Sequence, residues 1–194
     1  MPKVVQFNRE ETLENVLKVF WEKGYMATSM QDIVDASGLN RSSIYNSFGS
    51  KEALYLEALK QYQIHQKSYT AACRACSPSA FQQLKAFFDN MIPSILDDKN
   101  PKSCFYLNAA TELNSLDANA KQLLQGNKEQ FEGMLKDLVV IAQAAGEIKA
   151  SLDPSATAAL LYNLISGIRI NSSLNPDRTY LQNLIDTTFQ MIKA

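Results

Sequence analysis

Apolar residues recur every three to four positions along almost the whole chain, and the pattern breaks only at short stops. That period belongs to a helix with one buried face, and it leaves little room for strands. The first stripe is Leu13, Val16, Leu17 and Phe20, on a helix expected over 9–23 that Gly24 stops. Helices are expected next over 30–37, 41–47 and 51–73. Beyond Ser77-Pro78 they are expected over 79–97, 103–115, 117–145, 154–173 and 177–192, punctuated by the 97–101 stretch, Gly146, Asp153-Pro154 and Asn175-Pro176. Seven glycines and six prolines in 194 residues agree with long helices, since their share of about 7% falls below the usual figure of about 12%. No strand, repeat or low-complexity stretch stands out. The fold class is all-α, with about nine helices.

The first 48 residues hold three short helices whose ends are marked by local chemistry. Ser29 sits where an N-cap belongs, with Asp32 three residues on, a variant of the capping box. Gly38 supplies the left-handed residue that ends the second helix. Asn40 is placed to cap the third. Leu39 and Ile44 flank that cap at the spacing of a hydrophobic staple, which fixes how the chain enters the helix. A tight Ser37-Gly38-Leu39 turn between two such helices reads as a helix-turn-helix. On the third helix Ile44 and Phe48 point inward together. Ser42, Ser43 and Asn46 then point outward, flanked by Arg41 and Tyr45. Small and hydrogen-bonding side chains on the free face let a helix enter the major groove, about 12 Å wide. Between Gly38 and Lys51 there are two cations and no acid, so this tip is locally positive.

Bulk charge gives no such hint. The formal net charge is −1, and residues 1–60 carry seven Lys and Arg against eight Asp and Glu. A single histidine, His65, and three cysteines leave little material for a catalytic triad or a metal site, so no enzyme, catalytic residue, metal or cofactor is expected. The beginning of the chain shows no signal-peptide core and no apolar run approaches 18 residues, which points to a cytoplasmic protein without a membrane partner.

The wording of the N-terminal segment resembles the TetR family of bacterial transcriptional regulators. The resemblance runs over about residues 6–66. It is carried by Phe20, Gly24-Tyr25, the stretch from Thr28-Ser29-Met30-Gln31-Asp32-Ile33-Val34 to Gly38-Leu39-Asn40-Arg41-Ser42-Ser43-Ile44-Tyr45-Asn46-Ser47-Phe48, and Ser50-Lys51-Glu52-Ala53-Leu54. It implies a DNA-binding domain over 1–50 and a C-terminal helical bundle for effector binding and dimerisation over 51–194. Carried over by position, residues 41–47 become the recognition helix, and Tyr45, Lys51 and the Thr28-Ser29 start of the second helix become phosphate contacts. Elementary physics agrees, because free backbone N–H groups at a helix N-terminus bind phosphate and Arg41 and Lys51 supply counterion release. Asn46 departs from the family pattern, where that position is often aromatic. Asparagine pairs bidentately with adenine, so its base preference should differ.

Past residue 66 the likeness thins to two stretches that resemble an AcrR-like branch: 102–110, and Asp153-Pro154-Ser155-Ala156 with Gly167-Ile168-Arg169. Phe87, Phe88, Met91, Phe105, Tyr106, Phe131 and Met134 are candidates to line a pocket for an unidentified small molecule, or simply to fill the core of the bundle. Cys73 and Cys76 form a lone CxxC, which is read as two small half-buried residues, and Cys104 is read as core. His65 and the Asp97-Asp98 pair read as solvated surface. On the 154–173 helix, Ala158, Leu160, Leu161, Tyr162, Leu164, Ile165 and Ile168 cover about twice the usual apolar arc of roughly 100°. Such a helix needs cover on two sides, this chain's own core and a second copy, the alternative being a helix buried centrally in a monomer. A dimer interface is therefore expected from Ala158, Leu161, Tyr162 and Ile165, with Leu181, Leu184, Ile185, Thr188 and Ile192 on the last helix. Ser166 and Gly167 are small enough for close helix approach. The function expected is a dimeric repressor released from a palindromic operator in double-stranded DNA by a small-molecule ligand. The alternative is a helix-turn-helix architectural or interaction protein without ligand response.

Overall fold

The computed structural model describes residues 7–75, 77–97 and 104–194. Cys76, the 98–101 loop and the start of the sixth helix expected at 103 lie outside the described residues. Among the described residues the chain forms nine α-helices, one short 3-10 turn and no strand. They are α1 (Arg9–Ala27), α2 (Met30–Ser37), α3 (Arg41–Phe48), α4 (Lys51–Arg74), α5 (Ala80–Leu96), α6 (Phe105–Thr111), α7 (Ala118–Ala144), α8 (Pro154–Leu174) and α9 (Arg178–Ile192). No helix is long and apolar enough to cross a membrane among the described residues.

Two boundaries differ from the periodicity reading. Gly24 bends the first helix without ending it. It adopts φ 80° and ψ 172°, and helical geometry resumes to Ala27. The expected 103–115 helix is instead a seven-residue α6 followed by the 3-10 turn Leu113–Ser115. Glu112 separates the two with φ −99° and ψ 14°, and its N–H donates to the carbonyls of Ala109 and Ala110, which tightens the last turn.

The helices gather into two compact units. One joins 1–65 with 104–125, and the other joins 66–103 with 126–194. This is a partition by packing, distinct from the functional division expected after residue 50. In the first unit Val16, Leu17, Phe20, Ile33, Ile44, Leu54, Tyr55, Tyr62 and Phe105 close into one core. Its rings meet edge to face, with Phe20–Tyr55 centroids 4.9 Å apart, Tyr55–Phe105 5.4 Å and Tyr62–Phe105 5.7 Å. Such pairs add about 0.5–1.5 kcal/mol each beyond their burial.

In the second unit α5 packs against both α8 and α9. Leu84, Phe88, Met91, Leu135, Val139, Leu161, Ile168, Leu181, Ile185 and Phe189 form its core. An antiparallel bridge between Ile148 and Lys193 pins the end of α9. Lys85 on α5 reaches Asp89 and, at 2.8 Å, Asp186 on α9.

Candidate nucleic-acid interface

The turn between α2 and α3 is built from its own residues. Gly38 takes φ 68° and its N–H donates to the Val34 carbonyl at 3.0 Å. The Ser37 hydroxyl donates to the same carbonyl at 3.2 Å and accepts from the Leu39 N–H at 3.2 Å. Asn40 then caps α3, its Oδ1 accepting from the Ser43 N–H at 2.8 Å. With Leu39, Ile44 and Phe48 buried in the first unit's core, the rotation of α3 is fixed. Arg41, Ser42, Tyr45 and Asn46 are left exposed, with Ser43 half-buried. No acid lies on this helix.

Arg9 holds α3 from its far end, and nothing in the local pattern singled it out. Its guanidinium lies 4.2 Å from the Phe48 ring centroid and donates to the Ser47 carbonyl at 2.8 Å and to Glu57 of α4 at 2.8 Å. A cation at the C-terminal end of a helix also suits the helix dipole.

The start of α2 carries a full capping box. The Ser29 N–H donates to Asp32 Oδ2 at 2.8 Å, and the Asp32 N–H donates to Ser29 Oγ at 3.1 Å. Lys23 donates to Asp32 Oδ1 at 2.6 Å. The Lys23 ammonium, helped by the Ser29 hydroxyl and amide, holds the Asp32 carboxyl well below the usual carboxylate range. The amides of Met30 and Gln31, in the first turn, have no intrahelical acceptor. Thr28 is placed differently from Ser29. It is buried, and its hydroxyl donates to the Gly24 carbonyl at 2.6 Å. The exposed part of this pair is Ser29 and the helix end behind it.

Lys51, at the start of α4, lies with its ammonium 4.5 Å from the centroid of the Tyr25 ring. Burial lowers its pKa from the ordinary lysine value, partly offset by the charges of Glu52, Glu112 and Asp32. Tyr25 donates its hydroxyl to Glu52 at 2.9 Å. Burial first, and then that bond to Glu52, push the Tyr25 phenol up to about 12. Tyr25 therefore supports Lys51 from below and fixes the residue next to it.

The remaining expectations divide between the units. Phe105 and Tyr106 belong to the first unit's core, where the Tyr106 hydroxyl donates to the Leu59 carbonyl at 3.0 Å. Phe87, Phe88 and Met91 are buried in the second unit, with Phe131 and Met134 packed against them. The seven pocket candidates thus do not form one group, because the aromatics of α6 serve a different core from those of α5 and α7. Of the nine residues expected at a dimer interface, Ala158, Leu161, Ile165, Leu181, Ile185 and Ile192 are buried in this chain's own core. The reason is simple: a helical wheel gives the width of an apolar arc but not which half faces home. Tyr162, Leu184 and Thr188 are half-buried. The exposed apolar residues on α8 and α9 are Leu160, Ile170, Leu174, Tyr180 and Met191. Cys73 is buried, Cys104 is half-buried and accepts from the Tyr62 hydroxyl at 3.4 Å, and His65 is exposed, 3.8 Å from Glu14.

An all-α chain that presents a capped, three-helix helix-turn-helix with a polar outer face defines a class, the helix-turn-helix DNA-binding proteins. Residues 13–58 match the family described as bacterial regulatory proteins, tetR family, and residues 80–188 match the tetracyclin repressor-like C-terminal domain. The chain belongs to the TetR family of transcriptional regulators. It is 28% identical over 191 residues to the HTH-type transcriptional repressor ComR of Escherichia coli, covering 98% of this chain and 90% of that protein. It is 24% identical over 185 residues to the HTH-type transcriptional repressor DhaR of a Mycobacterium species, covering 95% and 91%. Among solved structures, a TetR family regulator from Agrobacterium tumefaciens superposes with TM-score 0.87 at 18% identity, covering 95% of this chain and 97% of the other. The TetR family regulator CifR, solved with 26 bp operator DNA, superposes with TM-score 0.83 at 21% identity, covering 98% of each.

Proposed function

We propose that this regulator is a dimeric repressor that reads a palindromic operator through α3 of each protomer and leaves it when a small molecule occupies the second unit. The observation that carries the reading is the exposed row Arg41, Ser42, Tyr45 and Asn46 on a helix whose opposite side is locked by Ile44 and Phe48. Arg41, Tyr45, Lys51 and the Ser29 end of α2 contact phosphate, and Ser42, Ser43 and Asn46 face base edges. One recognition helix spans too few base pairs to find a site in a genome. Two copies on a two-fold axis read half-sites about 34–36 Å apart, or a multiple of that spacing. Support for the second copy comes from α8, where Leu160 and Leu174 are exposed at the spacing of one face, with Leu164 and Gly167 half-buried between them. The names of the relatives ComR and DhaR support repression, and the operator complex of CifR supports operator binding. Ligand response rests on the aromatic group of the second unit, where the Phe87 and Phe131 ring centroids lie 5.4 Å apart. Phe87, Phe88, Met91, Phe131 and Met134 suit an apolar ligand there.

The test is selection of DNA from a random pool by the purified protein, followed by binding in a salt series. A palindromic consensus bound with a steep salt dependence is the expected result. A protein that enriches no sequence overturns the reading.

A further inference from the structure

The break at Gly24 separates two groups that a straight helix would bond to each other, the Tyr25 N–H and the Trp21 carbonyl. Both are taken by side chains of the α6 segment. The Tyr25 N–H donates to Glu112 Oε2 at 2.6 Å, and the Met26 N–H donates to Glu112 Oε1 at 3.1 Å. Asn108 Nδ2 donates to the Trp21 carbonyl at 3.1 Å. Asn108 and Glu112 are four residues apart, so one face of one short segment makes both bonds. The fit leaves no slack at residue 24. A Cβ there would lie 2.9 Å from each Glu112 carboxylate oxygen, and φ of +80° already excludes most side chains.

What this clasp holds leads directly to the candidate DNA contacts. Tyr25 carries Lys51 on its ring and Glu52 on its hydroxyl. The Gly24 carbonyl anchors the Thr28 hydroxyl, one residue before the Ser29 cap of α2. The two phosphate-facing features nearest α1, the start of α2 and Lys51, thus both rest on the three residues from Gly24 to Met26. We propose that Glu112 is a positioning residue for operator binding, which sets Lys51 and the α2 N-terminus by fixing the amides of Tyr25 and Met26. The proposal rests on the DNA reading above and adds to it a residue far from the recognition helix in sequence.

The experiment uses the full-length chain and the selected operator. Glu112→Gln keeps the side-chain length and one acceptor oxygen, removes the charge, and turns an N–H toward an N–H. It should weaken operator binding about tenfold, the scale of losing a charge-assisted bond. It should also lower the salt slope by about one unit, because Lys51 no longer reaches its phosphate. Adding Lys51→Ala should lower the slope no further, whereas independent effects would add. A residue that only stabilises the fold changes the melting temperature and leaves the slope of the folded protein intact. Trp21, the sole tryptophan, gives a fluorescence signal at the clasp that should shift in Glu112→Gln and in Asn108→Ala. Asn108→Ala is read by the same criteria if Glu112→Gln does not fold. Wild-type affinity and slope in the Glu112 variant, or effects of Glu112 and Lys51 that simply add, would overturn the positioning role alone. A wild type that selects no DNA overturns the function itself, and this role with it.

Discussion

Asn46 and Arg41 are both exposed on α3, and the proposed function gives them different work that substitution separates. Asn46→Ala should relax base preference at one position of each half-site, at a cost of about 1–3 kcal/mol, readable by repeating the DNA selection. Arg41→Ala should weaken all sequences alike and flatten the salt dependence by about one unit. An unchanged consensus in the first variant and an unchanged slope in the second would remove both assignments. Deeper in the same unit, the Tyr55 hydroxyl is buried without a hydrogen-bond partner. Tyr55→Phe deletes a desolvated donor and no bond, so the melting temperature should hold or rise; a marked fall would show that the hydroxyl has a partner after all. Residues with local partners were legible from sequence. Ser29, Asp32, Gly38 and Asn40 each act within three or four positions, and each sits where the pattern put it. Glu112 reaches Tyr25 across 87 residues, and Arg9 reaches Ser47 across 38. No periodicity records such pairs, so neither was found before the chain was folded.

Helices, at the next scale, owe their legibility to spacing and their ends to chemistry. The starts of α2, α3, α4 and α8 fall where a cap or a proline stands, and Gly24 and Glu112 mark the two places where a straight reading fails. At Gly24 bonds from Glu112 and Asn108 replace the helix's own ladder, whereas at Glu112 the ladder tightens locally onto Ala109 and Ala110. The capping box on α2 also makes that helix end sensitive to acid. The Asp32 pKa is depressed in the folded protein, by Lys23 above all. Its contribution is therefore full above the unfolded value of about 4 and is lost as the pH falls through the folded one. The wild type should lose more thermal stability than Asp32→Asn between about pH 5 and pH 3. Parallel melting curves in that window would count against the pair. The apolar width of α8 was also readable, but the assignment of its sides was not. Leu161 and Ile165 turned inward, while Leu160 and Leu174 stayed outside.

For the whole molecule, that division decides how dimerisation is tested. Leu160→Asp with Leu174→Asp places charge on the outer stripe of α8 and should give folded monomers by sedimentation, with operator binding reduced to the weak affinity of one half-site. Leu161→Asp with Ile185→Asp charges the core and should give misfolded protein, whatever the oligomeric state. Dimers of normal mass from the first pair would move the interface elsewhere. The two-part first unit has a further consequence, which lies in synthesis. Residues 1–65 emerge from the ribosome first, yet their ring core needs Phe105, Tyr106 and Ala109 to close. The stretch from 66 to 125 is 60 residues long. At about 5–20 residues per second it takes roughly 3–12 s to translate. Throughout that interval the sides of Tyr55 and Tyr62 that pack on Phe105 lack that partner. The tempo of translation over these codons, and the chaperones present, thus bear on how much DNA-reading protein a cell obtains from each message.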